Sequence, residues 1–412
     1  MLQSGFANVI WLRRLATDVW IETDIDARTA MKAHLKYWFW LGALTGIDPK
    51  RVKKLLDIYG NAYEVYRQPY TALAKLGFLN PQHLDKLTSP AIRAGLETRL
   101  FELVDSGIEV ISLPDKRYPE LVREISDPPA VLFMRGNAAS KREDRAIAIV
   151  GTRRPTAYGI SMTKKLVLGL AAYGFTIVSG LATGIDAYAH MAAIEGGAKT
   201  VAFLGCGVER AYPAINRKLM DDVIKNGAVY SEYLPGTIPF QRNFPQRNRL
   251  ISGASLGTVV VEAGERSGAL ITAGFAGDQG RDVFAVPGNA TSPLSQGTNA
   301  LLRDGAQVVT AVEDIIYAMN KYIGSENREF FESAQSERKR IEKRIEFDRA
   351  MASLDVSERL VAKIVKDRGP QDIDSIAAQC SISAGDAGAL AVMLEVKGLF
   401  RRMEDGAYMF AD

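Results

Sequence analysis

RAIAIVGTRRPTAYG, residues Arg145 to Gly159, opens on an unbroken apolar run and then breaks at a glycine. Ala146–Val150 suits a strand buried on both faces, and the glycine suits the tight turn after it. Five further runs share the plan: TIVSG (176–180), TVAFLG (200–205), AVYSEY (228–233), TVVVEA (258–263) and DVFAVPG (282–288). Amphipathic helical windows separate them. Short β-branched runs alternating with helices predict a mostly parallel sheet covered on both sides. The fold class is therefore α/β, a Rossmann-like doubly wound sheet over residues 146–322.

Outward from that sheet, residues 103–145 read as a connector, with Pro128-Pro129 excluding helix and VLFMRG (131–136) forming a short strand. Residues 36–102 read as a helical domain of the sterile-alpha-motif-like, helix-hairpin-helix kind. WLGALTGIDPKRVKKLLDIYG (40–60) and ALAKLGFLNPQHLDKL (72–87) repeat one pattern of helix, a turn in which one or two residues separate Gly from Asp/Asn-Pro, and helix. Residues 1–35 fit poorly with that helical domain and are expected to be a poorly structured extension. On the other side, 323–350 reads as a charged linker. Its stretch 324–350 holds seven basic and seven acidic residues and is no basic arm. Residues 351–412 show three helical windows and a hairpin, the order of a winged helix.

Composition narrows the function classes. The 412 residues carry 51 basic and 48 acidic side chains, a net charge of +3, so nucleic-acid binding must rest on local clustering. Two distant cysteines, Cys206 and Cys380, fit a reducing cytoplasm, and three histidines leave a zinc site almost no ligands. No apolar run is long enough to span a membrane, and the N-terminal residues do not resemble a signal peptide.

The expected strand-end loops are GTRRPTAYG (151–159), SGLATGID (179–186), GCGVERAYP (205–213), EAGERSGALIT (262–272) and PGN (287–289). Ligands of open α/β sheets sit at such loops, and helix starts there offer free N–H groups to anions. FPQRNRLISG (244–253) adds two arginines and an aromatic inside a stretch, Tyr233 to Val261, that contains no acid. Neither GxGxxG after the first strand nor GxxxxGK[ST] is present, which disfavours a dinucleotide cofactor and a phosphate-loop ATPase. GASLG (253–257) has the letters of GxSxG but precedes the TVVVEA run instead of following a strand, so it is no hydrolase elbow. Asp186 and His190 lie four apart on a helix and suit packing better than a catalytic dyad. Glu262 and Glu265 are the only handle for acid–base chemistry. A single-stranded polyanion fits best: arginines take phosphates and Phe244 offers a face to an unpaired base. Phe244 before Pro245 also suits a buried anchor.

Many of these segments, in this order, resemble the DNA-processing protein A (DprA/Smf) family. The likeness is carried by YPELV (118–122), DPPAVLFMRG (127–136), AIVGTRRPTAYG (148–159), SGLATGIDAYAH (179–190), FPQRNRLISG (244–253), VVVEAGERSGALITA (259–273), FAVPG (284–288) and QGTNALLRDGA (296–306). It covers about 36–412. The resemblance implies a cytoplasmic, non-enzymatic protein without cofactor, metal or catalytic residue. Such a protein binds and protects incoming single-stranded DNA and helps load RecA recombinase during natural transformation, with single-strand binding protein as a further partner. The implied nucleic-acid-binding set is Gly151, Thr152, Arg153, Ser179, Gly180, Arg242, Phe244, Arg247, Asn248 and Arg249. Gln241 stands where some members have lysine. The family's homodimer implies a seam near 306–320, through Val312, Ile315, Ile316 and Met319, residues that equally suit plain core. The presumed third winged-helix segment, SAGDAGALAVMLEVKG (383–398), has one lysine against Asp386 and Glu395, which points to protein contact or packing. The alternative is a nucleotide N-glycosidase of the lysine-decarboxylase-like (LOG) type, whose PGGxGTxxE signature is missing here.

Overall fold

The structure, a computed structural model, describes residues 27–44, 46–137, 145–319, 351, 353–403 and 405–411. The chain divides into two units, 1–331 and 332–412.

The first unit begins with six helices: α1 (Ala27–Ala43), α2 (Pro49–Tyr59), α3 (Ala62–Tyr66), α4 (Tyr70–Ala74), α5 (Pro81–Thr88) and α6 (Pro90–Asp105). The repeated turn read from sequence caps two of them. Asp48 accepts the Arg51 N–H at 2.9 Å and Asn80 accepts the His83 N–H at 2.8 Å, each before a proline in the first helical turn. The expected 1–35 extension is corrected at its end, because α1 starts at Ala27; residues 1–26 lie outside the described residues.

A nine-stranded sheet comes next: β1 (Glu109–Ser112), β2 (Val131–Gly136), β3 (Ala146–Val150), β4 (Thr176–Ser179), β5 (Thr200–Leu204), β6 (Ala228–Ser231), β7 (Gly257–Val260), β8 (Asp282–Ala285) and β9 (Gln307–Val308). Their order is β1-β2-β6-β5-β4-β3-β7-β8-β9, with β3 through β9 parallel and β1 and β2 antiparallel additions beside β6. The border expected at 146 therefore falls inside the sheet. The connector extends it by two strands, with the four-residue α7 (Glu120–Arg123) between them.

Alternation along the strands builds two cores. Leu132 and Met134 of β2, Val201 and Phe203 of β5, and Tyr230 of β6 face one side, over α11 (Asn243–Gly253) and α12 (Gly268–Asp278). Val131 and Phe133, Ala202 and Leu204, and Val229 face the other, against Phe39 of α1, Leu100 and Leu103 of α6, and Met220 and Val223 of α10 (Arg217–Asn226). The N-terminal helices thus cover one end of the sheet instead of standing apart from it. The remaining helices are α8 (Ala157–Ala172), α9 (Ile185–Glu195), α13 (Gln296–Arg303) and α14 (Val312–Met319).

The expected dimer seam is corrected. Val312, Ile315, Ile316 and Met319 are all buried within this one chain. Val312 lies so close to α8 that a Cβ added at Gly169 would sit 2.8 Å from its own Cβ. A four-residue ring of apolar positions on an eight-residue helix must face something, and here it faces the core.

The second unit contains α15 (Val356–Arg368), α16 (Ile373–Cys380), α17 (Ala384–Val396) and an antiparallel hairpin of β10 (Phe400–Arg402) and β11 (Tyr408–Phe410), around a core that includes Val361, Ile376, Leu394 and Phe400. This is the element order expected of a winged helix. The linker expected at 323–350 lies outside the described residues.

Candidate nucleic-acid interface

β3 pairs on one side with β4, its successor in sequence, and on the other with β7, so the chain reverses direction of winding there. A crevice at the carboxyl ends of such strands is the expected ligand site of an open α/β sheet. A cleft of about 890 Å³ lies there, lined by Gly151, Thr152 and Arg153 after β3, Gly264, Arg266 to Ala269, Ile271 and Thr272 after β7, Tyr212, and Phe244, Arg247 and Asn248 of α11.

The loop after β3 is clamped. Thr152 N–H donates to the Glu262 carbonyl at 2.7 Å, and the Thr152 carbonyl accepts Ile185 N–H at 3.1 Å. This leaves Arg153 and Arg154 exposed. Glu262 is buried, and its carboxylate accepts both the backbone N–H (2.9 Å) and the hydroxyl of Thr156, the residue capping α8. It holds a helix start, with each carboxylate oxygen engaged in a hydrogen bond. The Asp186–His190 dyad does not form. His190 Nδ1 lies 2.7 Å from the Thr200 hydroxyl, which itself donates to the Ile177 carbonyl, so the ring donates that proton. Burial holds His190 neutral, with its pKa lowered to about 3. No group of three or more metal-ligating side chains occurs among the described residues.

α11 is where the sequence reading needs most correction. Arg247 and Arg249 are two residues apart, about 200° around a helix, so they leave on different faces. Arg247, 4% exposed, enters the sheet end from the cleft side: Nη1 donates to the carbonyls of Gly180 (2.7 Å) and Phe203, and Nε has no partner. A Cβ at position 180 would lie 2.7 Å from that guanidinium, which is why glycine stands there. Burial pushes the Arg247 pKa down, and nearby Asp186 opposes the shift. Arg249, 2% exposed, points away from the cleft into an ion pair with Glu232 and a second contact with Asp127 at 3.3 Å. It is not a free phosphate ligand. Ser179 is corrected too: its hydroxyl is fully buried and donates to the Ile149 carbonyl at 2.7 Å. Gly180 seats Arg247 and does not line the cleft. Arg242 is exposed but lies outside the cleft, on an adjoining groove.

Phe244 is half-buried at the mouth. Its ring stacks on Tyr212 with centroids 5.2 Å apart and planes 28° from parallel, while the guanidinium carbons of Arg153 and Arg247 lie 5.9 and 6.0 Å from its centroid. Asn248 ties α11 to α12 through a bond to the Gly268 carbonyl at 3.3 Å. The sequence reading missed Tyr212, 42% exposed, and the exposed Arg266 just before the Ser267 cap of α12. Asp186, buried, is the sole acid among the cleft's lining residues against Arg153, Arg247 and Arg266.

The profile of the DNA recombination-mediator protein A family matches residues 109–320, the sheet and its cleft together. The chain belongs to that family. Among its curated members, DNA processing protein DprA of Bacillus subtilis is 43% identical over 211 residues, 51% of this chain and 71% of that protein. Protein Smf of Escherichia coli is 38% identical over 275 residues, 65% of this chain and 73% of that one. The X-ray structure of DNA processing protein A from Streptococcus pneumoniae superposes with a TM-score of 0.57 at 33% identity, over 72% of this chain and 98% of that one. Within this family the corrected set of cleft-lining candidates is Gly151, Thr152, Arg153, Tyr212, Phe244, Arg247, Asn248 and Arg266.

Proposed function

We propose that the protein binds single-stranded DNA in this cleft, shields it and passes it to RecA recombinase during transformation or recombination. The observation that carries the reading is the half-exposed Tyr212–Phe244 ring pair flanked by guanidinium groups in an open cleft. Aromatic faces accept any unpaired base, and arginines take the phosphates between them. Duplex DNA keeps its bases stacked inside and offers such rings nothing. Membership of a recombination-mediator family supports transfer to a recombinase, with single-strand binding protein displaced in the process. The protein acts in the cytoplasm and as a homodimer, through a surface other than the buried face of α14.

The protein is not an enzyme in this reading. Glu262 is committed to Thr156 at the start of α8, which deprives a nucleotide N-glycosidase of its acid. A gel-shift with a short oligothymidylate and its duplex tests binding: the single strand is retained and the duplex is not. Equal retention of both overturns the reading. Release of ribose 5-phosphate from AMP, lost in Glu262→Ala, would establish the glycosidase instead.

A further inference from the structure

Arg242, placed by sequence with the cleft arginines, lies outside the cleft. It lines a neighbouring open groove with Phe240, Gln241 and Pro245. Its guanidinium carbon sits 5.6 Å from the centroid of the Phe240 ring, and that ring is 45% exposed. An aromatic beside an arginine repeats, four residues earlier in the chain and more openly, the pairing of half-buried Phe244 with exposed Arg153 and buried Arg247. Gln241 and Pro245 line both depressions, so the groove is continuous with the cleft. Arg242 enters no ion pair among the described residues, and none of the four lining residues is acidic. Glu209, the acid that reaches this loop, accepts the Gly236 N–H at 2.9 Å.

We infer that the Phe240–Arg242 groove is a second subsite for single-stranded DNA, taking a base and its phosphate after the strand leaves the Tyr212–Phe244 platform over Pro245. This rests on the cleft reading. A large apolar ring left in water beside an unpaired cation suits a ligand with a flat face and a negative charge in succession. A nucleotide of the same strand has both. The peptide between the two aromatic positions is a turn, in which Asn243 N–H donates to the Phe240 carbonyl at 3.0 Å, so the rings are held at a fixed offset.

The test is affinity against strand length, by anisotropy of labelled oligothymidylates. Wild type gains affinity in a step once the strand is long enough to leave the cleft. Phe240→Ala loses that step: about tenfold weaker binding of long strands, less than about twofold for the shortest strand that binds. Phe240→Trp restores it. Arg242→Ala lowers the salt slope by about 0.7 on long strands only. An equal loss at every length, or none, overturns the subsite while leaving the cleft in place. No binding of any strand by wild type overturns the cleft reading itself. Thermal melting shows whether each variant is folded, which the exposure of both side chains leads one to expect.

Discussion

Arg249 and Glu232 form an ion pair beneath the sheet end, with Asp127 closing the group from the connector. Three segments distant in sequence are pinned at one point: α11, the chain just after β6, and the turn before β2. Burial pushes the Glu232 carboxyl up, and Arg249 opposes it. With Arg249 removed, two acids would remain in a largely water-free site without a counter-charge.

Arg249→Ala is therefore expected to lower unfolding stability by about 3–5 kcal/mol, the usual cost of orphaning a buried charge partner. Urea denaturation measures this. The molecules that stay folded should keep the wild-type salt dependence of DNA binding. A stable variant with a shallower slope would move Arg249 to the DNA.

Arg153→Ala should do the reverse. The side chain is exposed and enters no ion pair among the described residues, so its loss should change stability by less than about 0.5 kcal/mol. Binding of every single strand should weaken alike, with the log–log salt slope reduced by about 0.7. Arg266→Ala should match it. Salt titrations of the two variants decide whether both arginines meet phosphate.

Much of this was legible in sequence because it depends on local rules. β-branched runs marked β3 to β8, and Asp48 and Asn80 announced their helix starts. Gly151 to Arg153 fell at the cleft because they come after the strand where winding reverses. What was hidden came from faces and distances. The sequence reading assigns FPQRNRLISG no secondary structure; Pro245 sits in the first turn of α11, where its missing N–H costs nothing. Once α11 is a helix, Arg247 and Arg249 cannot share a side. Tyr212 lies 32 positions before Phe244, on a different strand-end loop, and only the sheet brings their rings together. The burial of Val312, Ile315 and Ile316 depends on α8, which no periodicity within α14 identifies.

The second unit offers DNA little charge. α17 contains Asp386 and Glu395 and no basic residue, and it exposes Val392, Met393 and Val396. Truncation before residue 351 should leave single-strand affinity within about threefold, since few phosphate contacts are lost. Anisotropy titration of the truncated protein checks this. A drop above about tenfold would place the wing, with Arg401 and Arg402, on the strand.

His190 should make the protein acid-labile. Its folded pKa, about 3, lies below its unfolded value near 6.5, so the unfolded chain binds the extra proton between the two. Stability tied to this group is complete above about pH 6.5 and is lost as pH falls, by about 2 kcal/mol at pH 5. Asp186 and Glu232, whose pKa values burial raises, act with the opposite sign. The informative quantity is thus the difference between wild type and His190→Gln. The variant's melting temperature should vary less between pH 7 and 5, and parallel curves would remove His190 from the account.

The stacked rings make the sharpest claim on the cleft. Tyr212 is the outer ring and Phe244 the inner one, packed so closely over Gly205 that a Cβ there would lie 2.9 Å from the phenyl group. If a base stacks on this plate, Tyr212→Ala should weaken binding by about 1–3 kcal/mol and leave the salt slope unchanged, because stacking displaces no counterions. Phe244→Ala should weaken it similarly, since the outer ring loses its support. The folding cost of Phe244→Ala should stay below the ~3–5 kcal/mol of a fully buried phenylalanine. The double variant is decisive. Two rings in contact that serve one base should lose less together than the sum of their separate losses. Additive losses would mean that each ring meets its own base, and a change in salt slope would mean that the real effect lies in the displaced arginines.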